Sequence, residues 1–129
     1  MLTKIILNFF IGILVGFVLE FIYRSIEKGK IVVPKLINLQ MYGLIGVSLV
    51  FVYYLNIQFP YKLIILFIVP TCIEFLTGYI YLKIKKVYLW NYFNEKDNFM
   101  GLICPKFSTF WFLLSLVYYF TVLPIILRI

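Results

Sequence analysis

Residues 63–82 read LIILFIVPTCIEFLTGYIYL, twenty positions with a single charge, Glu74. At about 1.5 Å per residue a helix of this length covers about 30 Å, the thickness of a bilayer's hydrocarbon core. Glu74 lies well inside the run, about 13 Å from the end at Lys83. A carboxyl at that depth is costly unless it faces protein or a polar partner. The stretch therefore predicts a membrane helix with an inward side, on which Pro70, Glu74 and Gly78 stand at helical spacing.

Three more apolar runs flank it, at 5–23, 39–55 and 107–127, the last without a charge. The chain reads as an all-α polytopic membrane protein with four transmembrane helices at about 4–24, 38–56, 62–83 and 106–127. They form one four-helix domain over 1–129. The first run is not a signal peptide, because Glu20 and Arg24 stand where a small-residue cleavage site belongs. Composition agrees: 64% of residues are hydrophobic, 13% are charged, and the mean hydropathy is +1.05. Soluble domains are about 45–50% apolar and about 25% charged, so lipid has to solvate this chain.

Charge sets an orientation. Loops one and three hold Arg24, Lys28, Lys30, Lys35, Lys83, Lys85, Lys86, Lys96 and Lys106, nine basic residues against Lys4, Lys62 and Arg128 on the other side. The positive-inside rule puts those loops in the cytoplasm and both termini outside, in a multi-pass plasma-membrane protein. The net charge of +7 then reflects contact with anionic lipid. No basic segment interleaved with aromatics lies outside the apolar runs, which argues against nucleic acid as a partner. There is no histidine, and the two cysteines fit no zinc spacing. No metal, no cofactor and no enzyme activity are expected from so thin a catalytic inventory.

A short internal echo is present. Leu19-Glu20-Phe21-Ile22 resembles Ile73-Glu74-Phe75-Leu76, and Val33-Pro34-Lys35 resembles Cys104-Pro105-Lys106. Two-helix units would make this a parallel repeat; coincidence in an Ile/Leu/Phe-rich chain is the competing account.

The binding candidates are Glu20, Arg24, Glu74, Thr77 and Tyr42. Glu20 and Arg24 stand at the favourable i, i+4 spacing, on one face with Gly12 and Gly16, whose G-x-x-x-G spacing admits a close helix neighbour. Gly43 (with Gly46) and Gly78 mark further close contacts. Glu74 has no local base. It can hydrogen-bond Thr71 or Thr77, stay protonated, take a cation, or share Arg24 with Glu20; sharing is the expected arrangement, with Arg24 as hub. The segment at about 84–105 is too apolar for a solvated tether. Trp90, Asn91, Tyr92, Asn98 and Gly101 predict an ordered cytoplasmic cap, turned at Asn98 and Gly101.

From Gly16 to about Trp111 the chain resembles the CmpB-like, ABC-transporter type IV family of small bacterial membrane proteins. The resemblance rests on Glu20, Lys28-Gly29-Lys30, Tyr42-Gly43, Glu74 with Gly78, Trp90-Asn91-Tyr92, the spaced trio Asn98, Gly101 and Ile103, and Trp111. Asn91 stands where the family has Asp, and Gln40 where Pro is expected. The resemblance implies membership of a transport system. No phosphate-binding loop is present, so an ATPase would be a separate subunit. The expected function is a permease-like or accessory membrane subunit for a small solute or lipid, with a homo-oligomer enclosing the path. The alternative is a non-transporting interaction protein: a regulator, assembly factor or immunity-type partner.

Overall fold

The computed structural model describes residues 1–128. Helix α1 runs Leu2–Lys28, α2 Leu39–Tyr54 after a 3-10 turn at Leu36–Asn38, α3 Phe59–Lys85, α4 Pro105–Phe120 and α5 Val122–Arg128. Four spans are long and apolar enough to cross a membrane, the fourth made of α4 and α5 together. No β-strand occurs among the described residues.

Local chemistry explains the ends. Gly29, at φ 67°, turns the chain out of α1, and its N–H donates to the Ile26 carbonyl; glycine takes this left-handed cap without steric cost. Pro60 and Pro105 sit in the first turns of α3 and α4, where no amide hydrogen is needed. The fourth run, read as one helix, breaks at Thr121. Pro124 has no N–H for the Phe120 carbonyl, and its ring crowds that turn.

The helices alternate up and down. α1 packs on α2 and on α5, while α3 packs on α2 and α4. Transmembrane helices are not driven together by the hydrophobic effect, so close packing has to do it. The α1–α2 seam shows how. A Cβ on Gly12 would lie 2.8 Å from the Tyr42 carbonyl oxygen, and one on Gly46 would lie 2.8 Å from the Asn8 carbonyl oxygen. Only hydrogen fits at either place. Tyr42 lays its ring over Gly16, and Phe9 lays its ring over Gly43.

α1 and α3 are both 27 residues long, and α2 and α4 both 16. The two halves nonetheless pack differently. Glycine faces join α1 to α2, whereas Gly78 of α3 receives Trp90 and Leu102 from the loop after it.

One apolar cluster, around Leu49, Leu66, Tyr118 and Leu123, fills the half of the bundle nearer the termini. Lys62 ties that end together by donating to the Tyr53 carbonyl at 2.9 Å and the Tyr119 hydroxyl at 3.2 Å. The second cluster, around Met41, Tyr42, Ile45, Leu89 and Trp90, fills the other half. Asn8 of α1 is fully buried against α2 and α4: its Nδ2 donates to the Lys4 carbonyl, and Tyr118 donates to its Oδ1 at 2.7 Å.

Candidate functional site

Residues 86–104 fold over the end of the bundle. The Trp90 indole N–H donates to the Leu102 carbonyl at 2.8 Å, and the Tyr92 amide donates to the Gly101 carbonyl at 2.9 Å. A tight turn, Phe99 to Leu102, has Met100 at φ 57° and Gly101 at φ 71°; two left-handed central residues are the signature of a type I′ turn. Asn98 fastens it from inside. Its Nδ2 donates to the Phe93 and Glu95 carbonyls, and its Oδ1 accepts from the Gly101 amide at 3.0 Å. Asn91 Oδ1 accepts from the Phe93 amide at 2.8 Å. An aspartate would accept the same bond, so the substitution at this position keeps the turn and discards only the charge. Two proline-following lysines clamp the cap to the bundle: Lys35 donates to the Leu89 carbonyl at 3.2 Å, and Lys106 stands 3.9 Å from Glu95.

Beneath the cap is a cavity of about 540 Å³, bounded by α1, the loop and 3-10 turn that follow it, α2, Glu74 of α3, α4 and the cap. Pockets for small molecules commonly span about 300–1,000 Å³. Two carboxylate groupings border it. In the first, Glu20 Oε2 pairs with Arg24 Nε at 3.2 Å, and Glu20 Oε1 accepts from Asn38 Nδ2 at 3.3 Å. In the second, Glu74 Oε2 accepts from the Trp111 indole at 2.9 Å and the Tyr92 hydroxyl at 3.0 Å. Glu74 is only 2% exposed. The Tyr92 hydroxyl is held well above the ordinary tyrosine range by burial first and by the adjacent Glu74 second.

The expected sharing of Arg24 is corrected here. Among the described residues Arg24 pairs with Glu20, and Glu74 is served by the cap and α4. The reason is topological. α1 and α3 each pack on α2, and the small-residue face of α3 is occupied by Trp90 and Leu102 rather than by α1. Nor does Glu74 use its neighbouring threonines: Thr71 donates to the Phe67 carbonyl, and Thr77 does not border the cavity.

Of the other sequence candidates, Tyr42, Gly12, Gly16, Trp90, Asn91 and Tyr92 border the cavity, whereas Gly43, Gly78, Asn98 and Gly101 do not. Asn38 and Lys35 were missed. Asn38 is 4% exposed, with Nδ2 toward Glu20 and Oδ1 lacking any donor among the described residues. Its one sequence signal is an amide at the mouth of an apolar run. Asn8, a lone amide inside the first run, carried a plainer signal.

Four membrane-length helices packed around a half-open cavity with charged groups in its wall define a multi-pass membrane protein of helical-bundle type. The particular family follows from the chain itself. Its profile, described as "Putative ABC-transporter type IV", matches residues 7–129, and the chain belongs to that family. No curated protein and no solved structure matches it.

Proposed function

We propose that the chain is a permease-like or accessory subunit of a transport system, and that it holds its cargo in the cavity under the cap. The observation that carries this reading is one half-open cavity bordered by Glu20, Arg24, Asn38 and Glu74 together. Polar groups of this kind inside a membrane domain are retained for ligand or ion handling more often than for stability. The family name supports a transport role.

The 129 residues carry no Gly-x-x-x-x-Gly-Lys-Ser/Thr loop, so energy comes from a partner ATPase in this reading. Purification from native membranes in mild detergent tests it. The expected result is a co-purifying ATPase whose hydrolysis responds to cargo and loses that response with Glu74→Gln. A chain that purifies alone, with neither partner nor hydrolysis, overturns it.

A further inference from the structure

The chain is basic, with twelve Lys and Arg against five Asp and Glu. The cavity wall reverses that balance. Glu20, Glu27, Glu74 and Glu95 border it, against Arg24 and Lys35. Four of the five acidic residues thus gather where only two of the twelve basic ones do. Arg24 is paired through Nε with Glu20 at 3.2 Å, and Lys35 donates to the Leu89 carbonyl at 3.2 Å. The buried atoms left unpaired in this wall are acceptors.

Two buried oxygens in this wall, Glu74 Oε1 and Asn38 Oδ1, have no hydrogen-bond donor among the described residues. Buried polar atoms of folded proteins are almost always paired. Protonating Glu74 would not repair the first, since it exchanges an orphan acceptor for an orphan hydroxyl. The second cannot be turned away, because Asn38 Nδ2 is committed to the Glu20 carboxylate. The surroundings of Glu74 are aromatic. Trp111 and Tyr92 donate to its other oxygen. The Tyr42 ring lies 5.5 Å from Trp111, and Tyr92 stacks on Phe107 at 4.8 Å. Aromatic faces beside a carboxylate attract an organic cation, and one that carries N–H donors also suits the unpaired oxygens.

We propose that the cavity takes a primary ammonium group, carried on a free amine or on a phospholipid headgroup, with Glu74 and Asn38 as its acceptors. This rests on the cavity being the cargo site, and it names the cargo's chemistry. A carboxylate offers no donor to either oxygen, and any anion would meet the carboxylate of Glu74, which has no basic partner among the described residues. A quaternary ammonium suits the rings and leaves both oxygens unpaired.

The two tryptophans of the chain, Trp90 and Trp111, both border the cavity, so intrinsic fluorescence reports its occupancy. The protein in phosphatidylcholine nanodiscs is titrated with n-hexylamine hydrochloride, hexyltrimethylammonium chloride and sodium hexanoate. The expected result is a saturable response to hexylamine, at least tenfold tighter than to the other two. Glu74→Gln should weaken it tenfold or more, and Asn38→Ala severalfold as an independent check should the first variant fold poorly. Repeating the titration with phosphatidylethanolamine in the disc separates the sources: competition by the lipid assigns the headgroup, and unchanged hexylamine binding assigns a free amine. Equal binding of the trimethyl compound, tighter binding of hexanoate, no saturable response at all, or indifference to both substitutions each overturns the ammonium assignment. None of these touches the transport reading, which is decided by the co-purifying ATPase.

Discussion

At the scale of single residues, the site is two carboxylates with two separate sets of donors. Glu20 keeps Arg24 and Asn38, and Glu74 keeps Trp111 and Tyr92. Groups with no shared hydrogen-bond or ion-pair partner couple less than members of one network. Arg24→Ala and Glu74→Gln should therefore add in thermal stability when combined. A coupling above about 1 kcal/mol would restore Arg24 as a common partner. Tyr92 adds a pH dependence. Its native hydroxyl is raised above the ordinary value, so the folded state holds the proton more tightly than the unfolded chain. That contribution is whole below about pH 10, the unfolded tyrosine value, and is lost as pH rises toward the native one. Tyr92→Phe should lower stability by about 1.5–3 kcal/mol at neutral pH, the usual worth of a hydrogen bond to a charged group. It should also flatten the alkaline decline of the melting temperature; an identical alkaline slope in both proteins would exclude this role. The Glu20–Arg24 pair is legible in the sequence because it lies within one helical turn. Glu74's donors are not legible. They stand 18 and 37 residues away, and nothing local distinguishes a tyrosine that donates to a buried carboxylate from one in an interfacial belt.

At the scale of elements, what a glycine faces decides its tolerance. Gly12 and Gly78 both lie on buried helix faces, and both read from sequence as close-contact positions. A Cβ at Gly12 meets backbone, the Tyr42 carbonyl at 2.8 Å and the Gly46 Cα at 3.3 Å. Neither can move without parting α1 from α2. A Cβ at Gly78 meets side-chain atoms, Leu102 Cδ2 and Trp90 Cζ2, both at 3.0 Å. Those need yield only a few tenths of an ångström. Alanine gains up to about 1 kcal/mol of helix propensity over glycine at either site. Overpacking a tight interface costs about 1–3 kcal/mol. At Gly12 the cost wins, so Gly12→Ala should lower folded yield and melting temperature. At Gly78 the two nearly cancel, and Gly78→Ala should change mainly Trp90 fluorescence. Equal melting temperatures for the two variants would contradict this. The helices themselves were readable, since length and apolarity suffice for that. The break at Thr121 was signalled by Pro124 in an otherwise unbroken run. That Gly78 seats the cap rather than another helix was beyond reach, because spacing shows that a contact is close and not which element supplies it.

At the scale of the whole molecule, the charges are segregated along the bundle in a way that fixes an expected orientation. The α2–α3 turn and both helix-bearing ends of the chain lie together: Lys4 of α1 donates to the Leu127 carbonyl of α5 at 2.7 Å, and Lys62 bridges the end of α2 to Tyr119 of α4. These two lysines donate to neutral protein acceptors and keep their charge, but with Arg128 they are the only basic side chains at that end. At the opposite end Lys28, Lys30, Lys83, Lys85 and Lys86 stand on α1, α3 and the turns just beyond them, and no ion pair binds any of these five among the described residues. Free lysines are the ones that anionic cytoplasmic lipid attracts, at about 1 kcal/mol each near the surface. From the nine-to-three asymmetry of basic residues we infer that the cap and the loop after α1 face the cytoplasm. Single cysteines beside Met1, Lys62 and Ile129, in a Cys72→Ser, Cys104→Ser background, should react with an impermeant maleimide in sealed cells (Ile129 lies outside the described residues). Cysteines beside Lys30 and Lys96 should react only after permeabilisation. The reverse pattern would turn the molecule over and place the cavity's cap, with Trp90 and Tyr92, on the outer face. Cargo would then meet the cap before the bundle, and a cytoplasmic ATPase would have only the α2–α3 turn and the chain ends to grip.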